Sequence, residues 1–293
     1  MIGFGNYHPV TNILYYIFVI FSSMFLMHPY SLGISFLCSF IYSILTNGKS
    51  AIKFNLIYML PMLIFAAILN PLFNHEGASI ITYFPNGNPL TMESILFGIA
   101  AAVMIATVIC WFSSFNTIMT TDKIVYLTGR LFPSLSLILS MTLRFVPYFK
   151  RKLSLVSDTQ KGLGIRNKTI LDRIKNAGRI LSIMITNSLE DSVETADSMR
   201  SRGFGLKGRT SFSMYIFTLR DKMFLCTTFL LGIYIVIGYS SNSVKFTYFP
   251  TIHYSELSLY SLSIFVAHLL LCSLPIIIHC KEVLLWKAIQ SKI

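Results

Sequence analysis

The chain has 293 residues, 54% of them hydrophobic and 12% charged, with a mean hydropathy of +0.65. Soluble domains carry about 25% charged residues, so this composition excludes an ordinary soluble domain and places the chain in a membrane. The net charge of +12 accompanies long lipid-grade segments, which points to positive-inside topology and argues against nucleic acid as a partner.

In chain order, apolar windows fall near Ile13 to Met27, Leu32 to Leu45, Phe54 to Leu72, Ile95 to Phe115, Met223 to Tyr239 and Leu257 to Ile278. A helix needs about 20 such residues to cross the hydrocarbon, so six spans are expected; the second window is the shortest and lengthens if its helix continues through Asn47. The first follows His8-Pro9 with no basic stretch before it and no small-x-small site after it, and is read as a span and not a removed signal. With an inside N-terminus, Lys49, Lys53, Lys281, Lys287 and Lys292 fall on the cytoplasmic side. The Asn74 to Pro89 loop then lies outside without Lys or Arg, and only Lys245 is misplaced.

Between the fourth and fifth windows, Asp122 to Lys222 holds 18 of the 24 basic residues and is expected to be a cytoplasmic module. Three helical pieces are predicted within it. The first, Lys123 to Tyr148, contains Pro133 and ends at Pro147. The second runs from Tyr148 to about Leu163, opens on Lys150, Arg151 and Lys152, and stops at Gly162 and Gly164. The third runs from about Thr169 to Arg202, where Ile170, Ile174, Ala177, Leu181, Met184 and Ser188 recur at helical steps. Leu189, Val193 and Ala196 continue a neighbouring stripe, and the pattern predicts one buried face. Leu135, Leu139 and Leu143 are candidates for packing against Ile174, Leu181 and Met184, with part of that surface expected to stay open for a partner.

Chemistry-bearing motifs are sparse. No C-x-x-C joins Cys38, Cys110, Cys226, Cys272 and Cys280, and the six histidines form no H-E-x-x-H. No G-x-x-x-x-G-K-[ST] is present to hold nucleotide phosphate, and Lys, Arg, Asp and Glu are almost absent from the six windows, apart from Glu93 at one margin. No catalytic, cofactor-binding or metal-binding residue is therefore assigned, and the chain is read as non-catalytic.

The charge instead gathers near Ala196 to Gly205. Arg200 and Arg202 follow Glu190, Asp191, Glu194 and Asp197, and Gly203 is placed to cap the helix. Two readings fit: a solvated helix end, or a rigid tip whose guanidinium recognises a carboxylate on another protein. Met199, Phe204 and Leu206 would add apolar contacts, and a pair between Asp197 and Arg200 would leave Arg202 free to dock.

These residues carry a resemblance. Arg144-Phe145-Val146-Pro147 matches an Arg-Phe-x-Pro segment, and Ser201-Arg202-Gly203 matches the second of two Ala-Arg-Gly motifs, of the transmembrane T component of energy-coupling factor transporters. That family includes the cobalt and nickel transport permeases. At the first Ala-Arg-Gly position the chain has Gly162-Leu163-Gly164, so Leu163 stands where the family has arginine; Lys161 or Arg166 lies close enough to supply the charge.

The resemblance covers the chain in order and implies an all-α polytopic membrane protein of about six transmembrane helices, with a cytoplasmic coupling-helix module between the fourth and fifth. The expected regions are a four-span part over residues 1–120, the coupling module over 121–222, and a two-span part with a short tail over 223–293. By resemblance the chain is the energy-coupling subunit of an importer for vitamins or transition-metal ions, in a bacterial or archaeal cell membrane with both termini cytoplasmic. Its implied partners are the lipid bilayer, two ATP-binding cassette ATPases and a substrate-binding S component. ATP and magnesium belong to the ATPases, and no cofactor is bound by this chain. Ser201, Arg202, Gly203, Arg200, Lys161, Gly162, Leu163 and Gly164 become ATPase-docking candidates, and Arg144, Phe145 and Pro147 structural ones. The alternatives are a substrate-lining permease subunit of another ATP-binding cassette transporter, an intramembrane enzyme, and a basic anchor for anionic lipid.

Overall fold

A computed structural model describes residues 3–83, 85, 87–163, 169–204, 206, 215–255 and 258–290. The chain divides into two units: Met1–Ile124 with Tyr215–Ile293, and Val125–Met214.

The first unit contains α1 (Pro9–Phe25), α2 (Pro29–Asn47), α3 (Lys49–Phe73), α4 (Met92–Ile118), α8 (Leu219–Ser240) and α9 (Leu259–Gln290). Five of these are long and apolar enough to cross a membrane. The sixth, α1, has 17 residues and reaches roughly 26 Å, the short end of what spans. The second window does lengthen through Asn47, and the last continues to Gln290, well past the apolar stretch that suggested it.

Two helices start on the same device. His8 precedes Pro9 and His28 precedes Pro29, and each imidazole Nδ1 accepts from the backbone N–H two residues on, at 3.3 Å in both cases. Proline at the first helical position loses nothing, because that N–H has no partner inside a helix. α3 carries a π-helical turn at Asn55–Met59. α4 packs tightly on α3 at Gly98, where a Cβ would stand 2.7 Å from the Ala67 carbonyl oxygen.

The core of this unit is aromatic and small-polar. Phe4, Tyr15, Tyr16, Tyr42 and Trp111 are buried together. Ser31, Ser35 and Ser39, one turn apart on α2, are buried as well. Ser35 Oγ lies 2.5 Å from Ser23 Oγ of α1 and accepts from Trp111 Nε1 of α4 at 3.5 Å. Lipid supplies no hydrophobic force between helices, so close approach of small side chains and shared hydrogen bonds hold them.

The two ends of the unit differ. At one, the 3-10 turn Gly3–Asn6 is tied down by Lys123, whose Nζ donates to the Gly5 carbonyl at 2.6 Å. Turned so that both its groups are satisfied, the Asn12 amide accepts from Lys123 Nζ at 2.8 Å and donates to the Phe4 carbonyl at 3.2 Å. Asp221 joins the starts of α1 and α8, accepting from His8 N–H at 2.8 Å and Thr218 N–H at 2.9 Å. At the other end lie two short antiparallel hairpins, β1 (Ile80–Tyr83) with β2 (Pro89–Thr91) and β3 (Phe246–Thr247) with β4 (His253–Tyr254). Glu93, the charge at the span margin, is buried there, and both its oxygens accept from Ser79 N–H at 3.2 Å.

The second unit holds most of α5 (Thr121–Leu131), with α6 (Pro133–Gly162) and α7 (Ile170–Ser201). This corrects two sequence expectations. The break falls at Phe132, the residue before Pro133, where helical backbone is disfavoured. Pro147 ends nothing: it sits inside a 30-residue helix that runs on to Gly162.

Candidate functional site

The candidate residues lie on α6 and α7 and on the turns that end them. α7 begins on a capping box, with Thr169 Oγ1 accepting from Asp172 N–H at 3.2 Å and Asp172 Oδ2 accepting from Thr169 N–H at 3.1 Å. It ends as the sequence predicts. Gly203 has φ +74°, Phe204 N–H donates to the Met199 carbonyl at 3.0 Å, and Gly203 N–H donates to the Arg200 carbonyl at 3.0 Å. This is a full Schellman motif, which needs a left-handed residue at the glycine.

The cap sets the direction of Arg202. It is the last residue before the left-handed turn and its side chain is exposed, as is that of Arg200. Among the described residues neither arginine has an ion pair. The expected pair between Asp197 and Arg200 does not form; these side chains, three apart on an exposed last turn, gain too little from pairing to be held together.

The other tip is built differently. Gly162 is the last residue of α6 and Leu163 follows as its cap, with its N–H on the Thr159 carbonyl at 3.0 Å and its side chain exposed. Lys161 is occupied locally by Asp158 at 2.9 Å, with both side chains about two-thirds in solvent. Among the described residues the left-handed glycines are Gly48, Gly77, Gly87 and Gly203, so Gly162 ends the helix without such a turn. Gly164 and Arg166 lie outside the described residues.

The Arg-Phe-x-Pro segment occupies the middle of α6. Phe145 stacks on Phe149 with ring centroids 5.6 Å apart, and the Pro147 carbonyl accepts from Arg151 Nε at 3.4 Å. Arg144, Phe145 and Arg151 line a cavity of about 430 Å³ with Glu194, Thr195 and Met199 of α7.

Beside that cavity is a cluster that the sequence reading missed. Asp191 Oδ2 accepts from Lys152 Nζ at 2.6 Å and from Tyr148 OH at 2.9 Å. Hydrogen bonds from Lys152 and then Tyr148 hold the Asp191 carboxyl below its usual range, and the bond to Asp191 raises the Lys152 ammonium above its own. Tyr148 and Lys152 are one turn apart, so their common face was legible; their partner, some forty positions away, was not.

The face of α7 expected to be buried is mostly open. Ile170, Ile174, Leu181, Leu189 and Val193 are all at least 60% exposed, while Met184 is buried. On α6, Leu135 and Leu143 are exposed too. The helical period marks an apolar face correctly, but nothing in the described part of this unit covers it. Among the described residues no three His, Cys, Asp or Glu side chains come together as metal ligands.

Residues 7–214 match the family model of CbiQ, the cobalt transport protein. A relative described as the energy-coupling factor transporter transmembrane protein EcfT, from Lactococcus lactis subsp. cremoris (strain MG1363), is 27% identical over 106 residues. That alignment covers 35% of this chain and 40% of the relative. The family match takes in α1 to α7 with their intervening turns, so both the membrane-crossing helices before the second unit and the two tips lie within it. The chain belongs to the CbiQ cobalt transport protein family, whose members are non-catalytic transmembrane subunits of transporters.

Proposed function

We propose that this chain is the energy-coupling transmembrane component of an energy-coupling factor importer for vitamins or transition-metal ions. Its α7 tip docks on one ATP-binding cassette ATPase and its α6 tip on a second. The helices between them pass the ATPases' movement to a substrate-binding membrane S component. ATP and magnesium are bound by the ATPases, and this chain binds no cofactor of its own.

One observation carries the reading: Arg202 stands exposed and, among the described residues, without an ion pair at the end of a 32-residue helix, on a turn fixed by the Schellman bonds at Gly203 and Phe204. A guanidinium held on rigid backbone is pre-organised for bidentate recognition of a carboxylate. The open stripe of α7 supports the S-component part, since an apolar face of that length asks for a membrane-embedded or apolar partner. The orientation follows from charge. Lys49, Lys53, Lys123, Arg220, Lys222, Lys281 and Lys287 belong to one end of the membrane unit and Lys245 to the other, so the first end, with both termini, is cytoplasmic.

The test is co-purification of the tagged chain with its host's ATPases in detergent, comparing wild type with Arg202→Glu at equal expression. Loss of the ATPases from a folded variant is the expected result. A largely buried pair would cost about 3 to 5 kcal/mol on losing one partner, against about 1 or less at a rim. Retention by the variant removes the role of Arg202; a wild type that brings down no ATPase overturns the coupling reading as a whole.

A further inference from the structure

We propose that Tyr148, Lys152 and Asp191 form a clasp that fixes the angle between the two long helices of the module, and through it the spacing of their C-terminal tips. The proposal rests on the reading of those tips as docking points.

The clasp joins the two helices where little else does. Asp191 Oδ2 of α7 is shared by Lys152 Nζ and Tyr148 OH of α6. Lys152 closes the triangle with a 3.3 Å bond to Tyr148 OH and stands 5.4 Å over the Tyr148 ring centroid. The Lys152 side chain is 17% exposed and that of Asp191 37%, so the pair is partly buried; the other ion pair found among the described residues of the unit, Lys161 with Asp158, lies within α6 and fastens nothing between helices. Apolar contact between α6 and α7 is thin: an open cavity of about 430 Å³ adjoins the clasp, and the apolar stripe of α7 is exposed. Where packing does not set an angle, directional bonds must.

The clasp also sits at the softest point of α6. Pro147 has no N–H to give and its ring crowds the turn before it, so a helix bends there most easily. Tyr148 is the next residue. From Tyr148 to Gly162 is roughly 21 Å along α6, and from Asp191 to Arg202 roughly 16 Å along α7, at about 1.5 Å per residue. A change of about 10° at the clasp moves the α6 tip by roughly 4 Å over that length. That displacement exceeds the span of a hydrogen bond, so a tip set for one groove would miss it. Tyr148, Lys152 and Asp191 are thus positioning residues, acting on the docking residues through the helices that carry them.

The experiment measures tip spacing by pulsed electron paramagnetic resonance on the full chain in lipid nanodiscs, with no ATPase present. Spin labels enter at Leu163 and Ser198 through bio-orthogonal amino acids, which leaves the native cysteines in place. Wild type is expected to give one narrow distance distribution. Asp191→Ala and Lys152→Met are expected to broaden it or move its mean by about 4 Å or more, the displacement estimated above. The exchanged pair, Lys152→Asp with Asp191→Lys, is expected to narrow it again. A wild-type distribution in both single variants overturns the clasp, as does an exchanged pair no narrower than the singles. If Asp191→Ala loses helicity, Asp191→Asn keeps the shape without the charge and decides by the same distances. Failure here rejects the clasp and leaves the docking reading standing, whereas failure to capture ATPases rejects the docking reading and leaves these distances unaffected.

Discussion

Single residues carry two consequences that can be measured. Gly203 holds φ +74°, and a Cβ built on it stands 3.0 Å from Leu206 Cδ1. Left-handed backbone costs an ordinary L-residue roughly 1 to 2 kcal/mol, so Gly203→Ala is expected to loosen the turn and to weaken ATPase capture about tenfold, since 1.4 kcal/mol is a factor of ten. Hydrogen exchange at Gly203 and Phe204 should speed up while the middle of α7 stays protected; unchanged exchange would contradict this account of the cap. Lys123 makes the second case. Burial lowers its ammonium pKa from 10.5 to about 8. Between those values the unfolded chain binds a proton that the folded chain does not, so stability rises with pH across that window. The full effect is about 3 kcal/mol. Melting temperatures from pH 7 to 10 should climb for wild type, and Lys123→Met should flatten that rise.

At the scale of elements, Pro147 separates stability from function. A proline inside a helix costs about 3 kcal/mol, so Pro147→Ala is expected to stabilise the module against heat or urea. The same change stiffens α6 beside the clasp, and ATPase capture should fall even as stability rises. A stabilised variant with undiminished capture would show that the proline has no part in docking. Pro147 also shows where reading by sequence stops. The sequence pattern places a helix end at the proline because its local cost is large, yet the chain stays helical through it, with Phe145 stacked on Phe149 and Tyr148 and Lys152 bound to Asp191. The membrane helices were legible because hydrocarbon imposes a length and an apolar composition on any span. Gly203 was legible because a left-handed cap restricts residue type. The buried face of α7 was misread because periodicity reports that a face is apolar and is silent on what covers it. His28-Pro29 repeats the His8-Pro9 start, and the repeat was there to be seen; the clasp was not, because its partners are distant in sequence and linked only by the fold.

For the whole molecule, charge placement makes topology testable. The chain leaves the membrane unit after Ile124 and rejoins it at Tyr215. Both points belong to the end where Lys123 ties down the N-terminal turn and where Asp221 joins the starts of α1 and α8. Asn47 fixes the turn between α2 and α3 to the same end, accepting from Thr117 Oγ1 at 2.5 Å and donating to Ser113 Oγ at 3.0 Å near the end of α4. Lys49 and Lys53 follow it directly. A membrane retains Lys and Arg on its cytoplasmic side, and of Lys49, Lys53, Lys123, Arg220, Lys222, Lys245, Lys281 and Lys287 only Lys245 belongs to the opposite end. Variants with one added cysteine, made where the exposed Cys226 and Cys280 are replaced by serine and the less exposed Cys38, Cys110 and Cys272 are kept, can be labelled in intact cells with a membrane-impermeant maleimide. Lys245→Cys is expected to react from outside, and Lys49→Cys and Lys287→Cys only after the cells are opened. The reverse pattern would invert the protein in the membrane, putting the exposed arginines of the α7 tip on the side without ATP, and would defeat the coupling reading more directly than any substitution at Arg202.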